Sequence, residues 1–145
     1  MNLLQRVEHW GDTHHPRWID IVRVALGIFL CYKGIDFLAH MSLQLDRLAS
    51  KFPSITLLII GHYVVFVHLL GGFLLAIGLA TRLACIVQIP ILLGAIIFVN
   101  SSDGIWTPYS ELALSILVLL LLIYFTIVGN GRWSFEKMVK DDTGK

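Results

Sequence analysis

The sequence predicts an all-α integral membrane protein: a four-helix bundle that crosses the bilayer, with both termini cytoplasmic and short amphipathic interfacial helices. Three observations carry that reading. The 145 residues are 57% hydrophobic and only 14% charged, with a mean hydropathy of +0.78, which leaves too little polar surface to coat a soluble domain of this size. Four apolar stretches, 18–38, 55–80, 83–99 and 112–128, are separated by polar or glycine-rich breaks, and about 20 such residues span a hydrocarbon core of about 30 Å. Basic residues are unevenly placed: Arg6, Arg17, Arg82, Arg132, Lys137, Lys140 and Lys145 fall on one side of this topology, Arg47 and Lys51 on the other. The richer side is the cytoplasmic one. A net charge of +1 with no basic stripe removes the electrostatic footprint of a nucleic-acid-binding protein, so the expected partners are lipid and other membrane proteins.

Taken in order, residues 1–17 lack the apolar h-region and small-residue cleavage site of a signal peptide and are expected to be retained. Leu3, Leu4, Val7 and Trp10 recur at helical spacing, which suits a short helix on the membrane surface. The first span, 18–38, is the most charged. Asp20 and Arg23 stand three residues apart, as do Lys33 and Asp36, so each pair shares a helix face and can neutralise itself locally. Gly27 and Gly34 lie on the side of Arg23 and form a groove into which another helix can settle. The loop 39–54 alternates Leu43, Leu45, Leu48 and Phe52 with Asp46, Arg47 and Lys51, the pattern of an interfacial helix, and Pro53 ends it.

In the second span, 55–80, Gly61, His68, Gly71 or Gly72, Leu75 and Gly78 fall near one stripe, which predicts that His68 faces protein. His62, six residues away, is rotated by about 120° from it and lies about 9 Å along the axis, so the two cannot chelate one metal from a straight helix. The third span, 83–99, contains Pro90, expected to kink it and free a carbonyl near Ile86. The polar run 100–111 forms the second outer loop. The fourth span, 112–128, is nearly pure aliphatic and ends at Gly129-Asn130-Gly131, and 129–145 reads as an amphipathic tail. Trp18, Trp106 and Trp133 sit where an aromatic belt would put them.

Ionisable residues inside membrane segments are functional candidates by default. Here they map to the outer half of the bundle. Lys33, Asp36 and His40 end the first span, His62 begins the second, Asn100 and Asp103 close the third, and Tyr109 and Glu111 open the fourth. These share one depth, with His68 about 16 Å below Leu57. The sequence thus predicts an outward-opening polar pocket with His68 at its inner end and Lys33, Asp36, His62, Asn100 and Glu111 around it. The alternative is that the charged pairs and the histidines serve folding alone. Cys31 and Cys85 lie at depths too different for a disulfide, which requires Cα atoms within about 7 Å, and read as packing residues.

Three groups of residues now carry a resemblance: Arg23, Gly27 and Gly34; the run HLLGGFLLAIGLATRLA from His68 to Ala84; and the fourth span opening at Glu111 and followed by GNGRWSFE. Together they resemble the DoxX/DoxD-like family of small four-span membrane proteins. Where members often carry a lysine three residues after the second glycine, Phe37 stands here, and Lys33 lies beside that glycine instead. The resemblance implies a bacterial cytoplasmic (inner) membrane location. It also implies a place among small subunits of membrane redox assemblies, which include a thiosulfate:quinone oxidoreductase. A quinone is the expected cofactor: His68, His62 or Lys33 would donate hydrogen bonds to its carbonyls, and Asp36 or Glu111 would relay protons. Alternatives are haem or metal binding through His40, His62 or His68, or a non-catalytic scaffold or transporter. Protein partners or a second copy would dock on the glycine-lined faces.

Overall fold

The computed structural model describes residues 2, 3, 6, 16–46, 48–99, 111–129, 138, 139, 142 and 143. Regular structure among them is entirely helical. The sequence readings for most of 1–17, for the loop 100–110 and for most of the tail fall outside the described residues. The helices are α1 (Arg17–Ala39), α2 (Met41–Asp46), α3 (Ser54–Ile77), α4 (Thr81–Gly94) and α5 (Glu111–Val128). Beyond Gly94, α4 runs on through a π-helical turn (Ala95–Val99).

Helix α3 and the continuous helix Thr81–Phe98 are each long and apolar enough to cross a membrane, with mean hydropathies of 2.1 and 2.0. The apolar run in α5, Leu112–Val128, is shorter. Helix α1 has the length but carries Arg17, Asp20, Arg23, Lys33 and Asp36. Apolar side chains also cover the outside of the molecule. Ile21, Ile28 and Ile35 of α1, and Ile59, Phe66 and Phe73 of α3, are all largely exposed at heptad spacing. Helices apolar on both faces suit a lipid solvent.

The tightest contact is between α1 and α3, the pair that packs most extensively. A Cβ on Gly27 would stand 2.5 Å from the Ala76 nitrogen and 2.6 Å from the Gly72 carbonyl oxygen, and one on Gly72 would stand 2.7 Å from the Gly27 carbonyl oxygen. The two backbones therefore touch, as small residues at membrane helix crossings permit. Helix α4 packs on α3 and on α5. Ile19, Leu26 and Leu30 of α1, Leu75 of α3, Cys85 and Leu92 of α4, and Val118, Leu122 and Phe125 of α5 form one shared core.

Two helix ends differ from the sequence reading. Helix α3 stops at Ile77, short of residue 80, because Gly78 takes φ 73° and Leu79 donates back to the Leu74 carbonyl, a glycine-terminated cap. With Ala80 also left-handed, at φ 49°, the chain reverses so tightly that α4 begins at Thr81, before the expected residue 83. Pro90 lies inside α4 without ending it. The π-helical turn five residues beyond it was not expected.

Beside this turn, Arg82 reaches the C-terminal end of α5: Nη2 donates to the Ile127 carbonyl at 3.5 Å. Gly129, at φ 77°, makes room for it, since a Cβ there would stand 2.6 Å from the Arg82 Nε. Gly129→Ala is expected to lose about 1–3 kcal/mol through backbone strain and displacement of the guanidinium. Thermal unfolding in detergent measures the loss; Arg82→Ala should then add little to it.

Candidate functional site

A cavity of about 550 Å³ opens between α1, α3, the second half of α4 and α5, roofed by α2 and the turn that follows it. Each wall follows from a local feature. On α1, Phe29, Lys33, Asp36 and Phe37 recur at helical spacing and present one face. On α3, Tyr63, Val64 and His68 do the same. From α4 come Pro90, Ile91, Gly94, Ala95 and Phe98, so the proline and the π-helical turn both border the space; π-turns inside helices are frequent at functional sites. Leu114, Ser115 and Val118 of α5 close the far side.

The roof is tied down at its end. Lys51 donates through Nζ to the Phe98 carbonyl at 3.3 Å and lies 5.6 Å from the Phe98 ring, while the Phe52 ring meets Phe98 edge-on at 5.6 Å. The ammonium thus serves a carbonyl at the C-terminal end of a helix, where cations are favoured. Sequence reading placed Lys51 and Phe52 in an interfacial helix without finding this contact, because its partner lies 47 residues away.

His68 is 9% exposed and its Nδ1 lies 3.0 Å from the Val64 carbonyl, one turn back on α3. Lys33 sits with its Nζ 6.0 Å from the Phe29 ring centroid. Asp36 pairs with His40, Oδ1 to Nδ1 at 3.3 Å, and that same nitrogen also lies 3.1 Å from the Asp36 carbonyl. The sequence reading set Lys33 in an outer ring above His68. In the structure a Cβ on Gly34 would lie 3.0 Å from the His68 Cβ, which brings Lys33 to the level of His68. The antiparallel register fixed where Gly27 meets Gly72 and Ala76 is the cause.

Of the other candidates, His62 is exposed on α3, with Nδ1 2.8 Å from the Leu58 carbonyl, and is absent from the lining; the 120° between it and His68 turns it outward. Asn100 lies outside the described residues, as does the side chain of Glu111. His40, His62 and His68 thus occupy three different surroundings. Tyr63, Gln44 and Ser115 also line the cavity and were missed; an uncharged polar residue in an apolar run gives no signal until a neighbouring helix is placed.

Other polar groups lie apart from this space. Arg23 donates to Asp20 at 3.0 Å in a buried pair. Gln88 is 1% exposed and lies against Gly71, where a Cβ would stand 2.7 Å from its Nε2. Both cysteines are free thiols; Cys31 donates to the Leu69 carbonyl at 3.5 Å and Cys85 is fully buried in the core.

Comparison with known proteins identifies a family. The DoxX family model covers residues 18–101, which reach from the start of α1 to just past the π-helical turn, and leaves α5 outside. No curated protein and no solved structure matches the chain. The matched segment is more than half of the 145 residues and holds the glycine contact of α1 with α3 together with most of the cavity wall: the chain belongs to the DoxX family and is a small integral membrane protein.

Proposed function

We propose that this protein crosses the bacterial cytoplasmic membrane four times with both termini cytoplasmic, and that it serves as the small membrane subunit of a quinone-linked redox complex. The observation that carries this reading is the cavity. At about 550 Å³ it falls in the size range of small-molecule sites, and such sites are apolar with a few converging polar groups. Here aromatic and aliphatic walls surround Lys33, Asp36, Tyr63 and His68. A lipophilic ring fits that lining, and the ammonium of Lys33 supplies a donor for one of its oxygens. A quinone, when bound, supplies two-electron, two-proton chemistry; this chain contributes the binding site, and a partner the second redox centre.

Gly94 provides the test. It borders the cavity, and a Cβ on it would meet nothing within 4 Å. Gly94→Leu is therefore expected to plug the pocket while leaving the unfolding temperature within a few degrees of wild type. Binding of a short-chain benzoquinone to protein in nanodiscs should weaken by about tenfold or more, the cost of excluding a ring from a matched apolar site. Mass spectrometry of a lipid extract should find co-purifying quinone in the wild type and not in the variant. Wild-type protein that binds no quinone, or a variant that binds it as well, removes this reading.

A further inference from the structure

We propose that the pocket selects by oxidation state, taking a lipophilic hydroquinone in preference to the corresponding quinone, with His68 accepting a hydrogen bond from one of its hydroxyls. This rests on the quinone-pocket reading above and adds to it the form that is held.

The inference starts from one bond. His68 Nδ1 lies 3.0 Å from the Val64 carbonyl oxygen. A carbonyl oxygen can only accept, so the hydrogen in that bond belongs to Nδ1, and in the neutral imidazole the other nitrogen, Nε2, then carries a lone pair and no hydrogen. Nε2 sits at the tip of the ring, on the edge turned away from Val64, and His68 borders the cavity. What the pocket offers there is an acceptor. The simple expectation that His68 donates to a quinone carbonyl does not survive this tautomer, since two acceptors facing each other leave both unsatisfied.

Neither charged group of the pocket opposes this. Asp36, an acceptor as a carboxylate, borders the same space. Lys33 donates only, and serves a carbonyl or a hydroxyl oxygen alike. A hydroquinone therefore supplies the hydrogen that His68 can accept, whereas a quinone has none to give it. Sites built to pair with a hydroxyl discriminate strongly against an analogue that lacks it, because the buried partner is then left without a bond.

The experiment uses the whole protein in nanodiscs and three ligands of one skeleton: a short-chain 1,4-benzoquinone, its hydroquinone held reduced under argon, and the bis-O-methyl ether, which keeps the oxygens but cannot donate. The hydroquinone is expected to bind about tenfold or more tightly than either of the others, and the ether to bind like the quinone. His68→Phe, which keeps a ring and removes the acceptor, should bring the three within about twofold of each other. A readout that needs no variant is nitrogen NMR of histidine-labelled wild type. It should show one ring protonated at Nδ1 whose Nε2 resonance moves with the hydroquinone and stays put with the ether. A quinone that binds as tightly as its hydroquinone, or a His68 ring protonated at Nε2, overturns the selectivity and leaves the pocket standing. Failure of all three ligands to bind overturns the pocket reading itself, and the selectivity with it.

Discussion

Gly27→Ala is expected to lower the unfolding free energy by about 1–3 kcal/mol, against the gain of about 1 kcal/mol that the same change brings at a helix position with room. The sign is decided by what the new methyl meets. At Gly27 it meets main chain: the Ala76 nitrogen, the Gly72 oxygen and the Ala76 Cα all lie within 3 Å of the Cβ position. Backbone atoms cannot rotate aside as a side-chain terminus can, so α1 and α3 must part along their length, and the dispersion contacts on both sides of the crossing weaken together. Gly72→Ala meets the Gly27 oxygen and the Cys31 nitrogen and sulfur within 3 Å and should lose as much. Gly94→Ala, facing open space, should be neutral or slightly stabilising. Unfolding midpoints for the three variants in one detergent check the contrast; a Gly27→Ala protein as stable as wild type would mean that the two backbones do not touch at this crossing.

How far the sequence could see follows from the range of each contact. The helix-to-helix groove at Gly27 and Gly34, the Asp20–Arg23 pair and the opposed faces of His62 and His68 are all properties of one helix, readable from a rise and a rotation per residue. Relations between helices were harder. Depth counted outward from each helix end separately puts Lys33 above His68, and only the meeting of Gly27 with Gly72 sets the two scales against each other. The roof contact of Lys51 and Phe52 with Phe98 joins two loop-proximal segments far apart in sequence. The left-handed Ala80 departs from what its residue type favours, so no local signal announced that turn. The tautomer of His68 depends on which carbonyl its ring finds, and periodicity shows only the face the ring occupies.

Asp20→Asn is expected to destabilise the protein by about 3–5 kcal/mol, more than any other polar substitution proposed for this chain. Arg23 and Asp20 are bonded at 3.0 Å with side chains only 1% and 3% exposed, beside the core residues Ile19 and Leu26. Removing the carboxylate leaves a guanidinium in apolar surroundings without its counter-charge, and a guanidinium cannot shed its proton. Arg23→Met should also destabilise, since it leaves the buried carboxylate without the guanidinium. The double variant Asp20→Asn/Arg23→Met should recover most of the loss, since well-packed neutral residues replace buried ion pairs at little cost. A double-mutant cycle on unfolding free energy reads these terms directly. The cycle also bears on function. If the pair exists to hold α1, then quinone binding should fall only as far as folding falls, and the double variant should bind as wild type does. A double variant that folds well yet binds no quinone would instead connect this buried pair to the pocket. An Asp20→Asn protein within about 1 kcal/mol of wild type, the range of an exposed ion pair, would mean that water reaches the guanidinium, and that the surroundings of Arg23 are wetter than their packing implies.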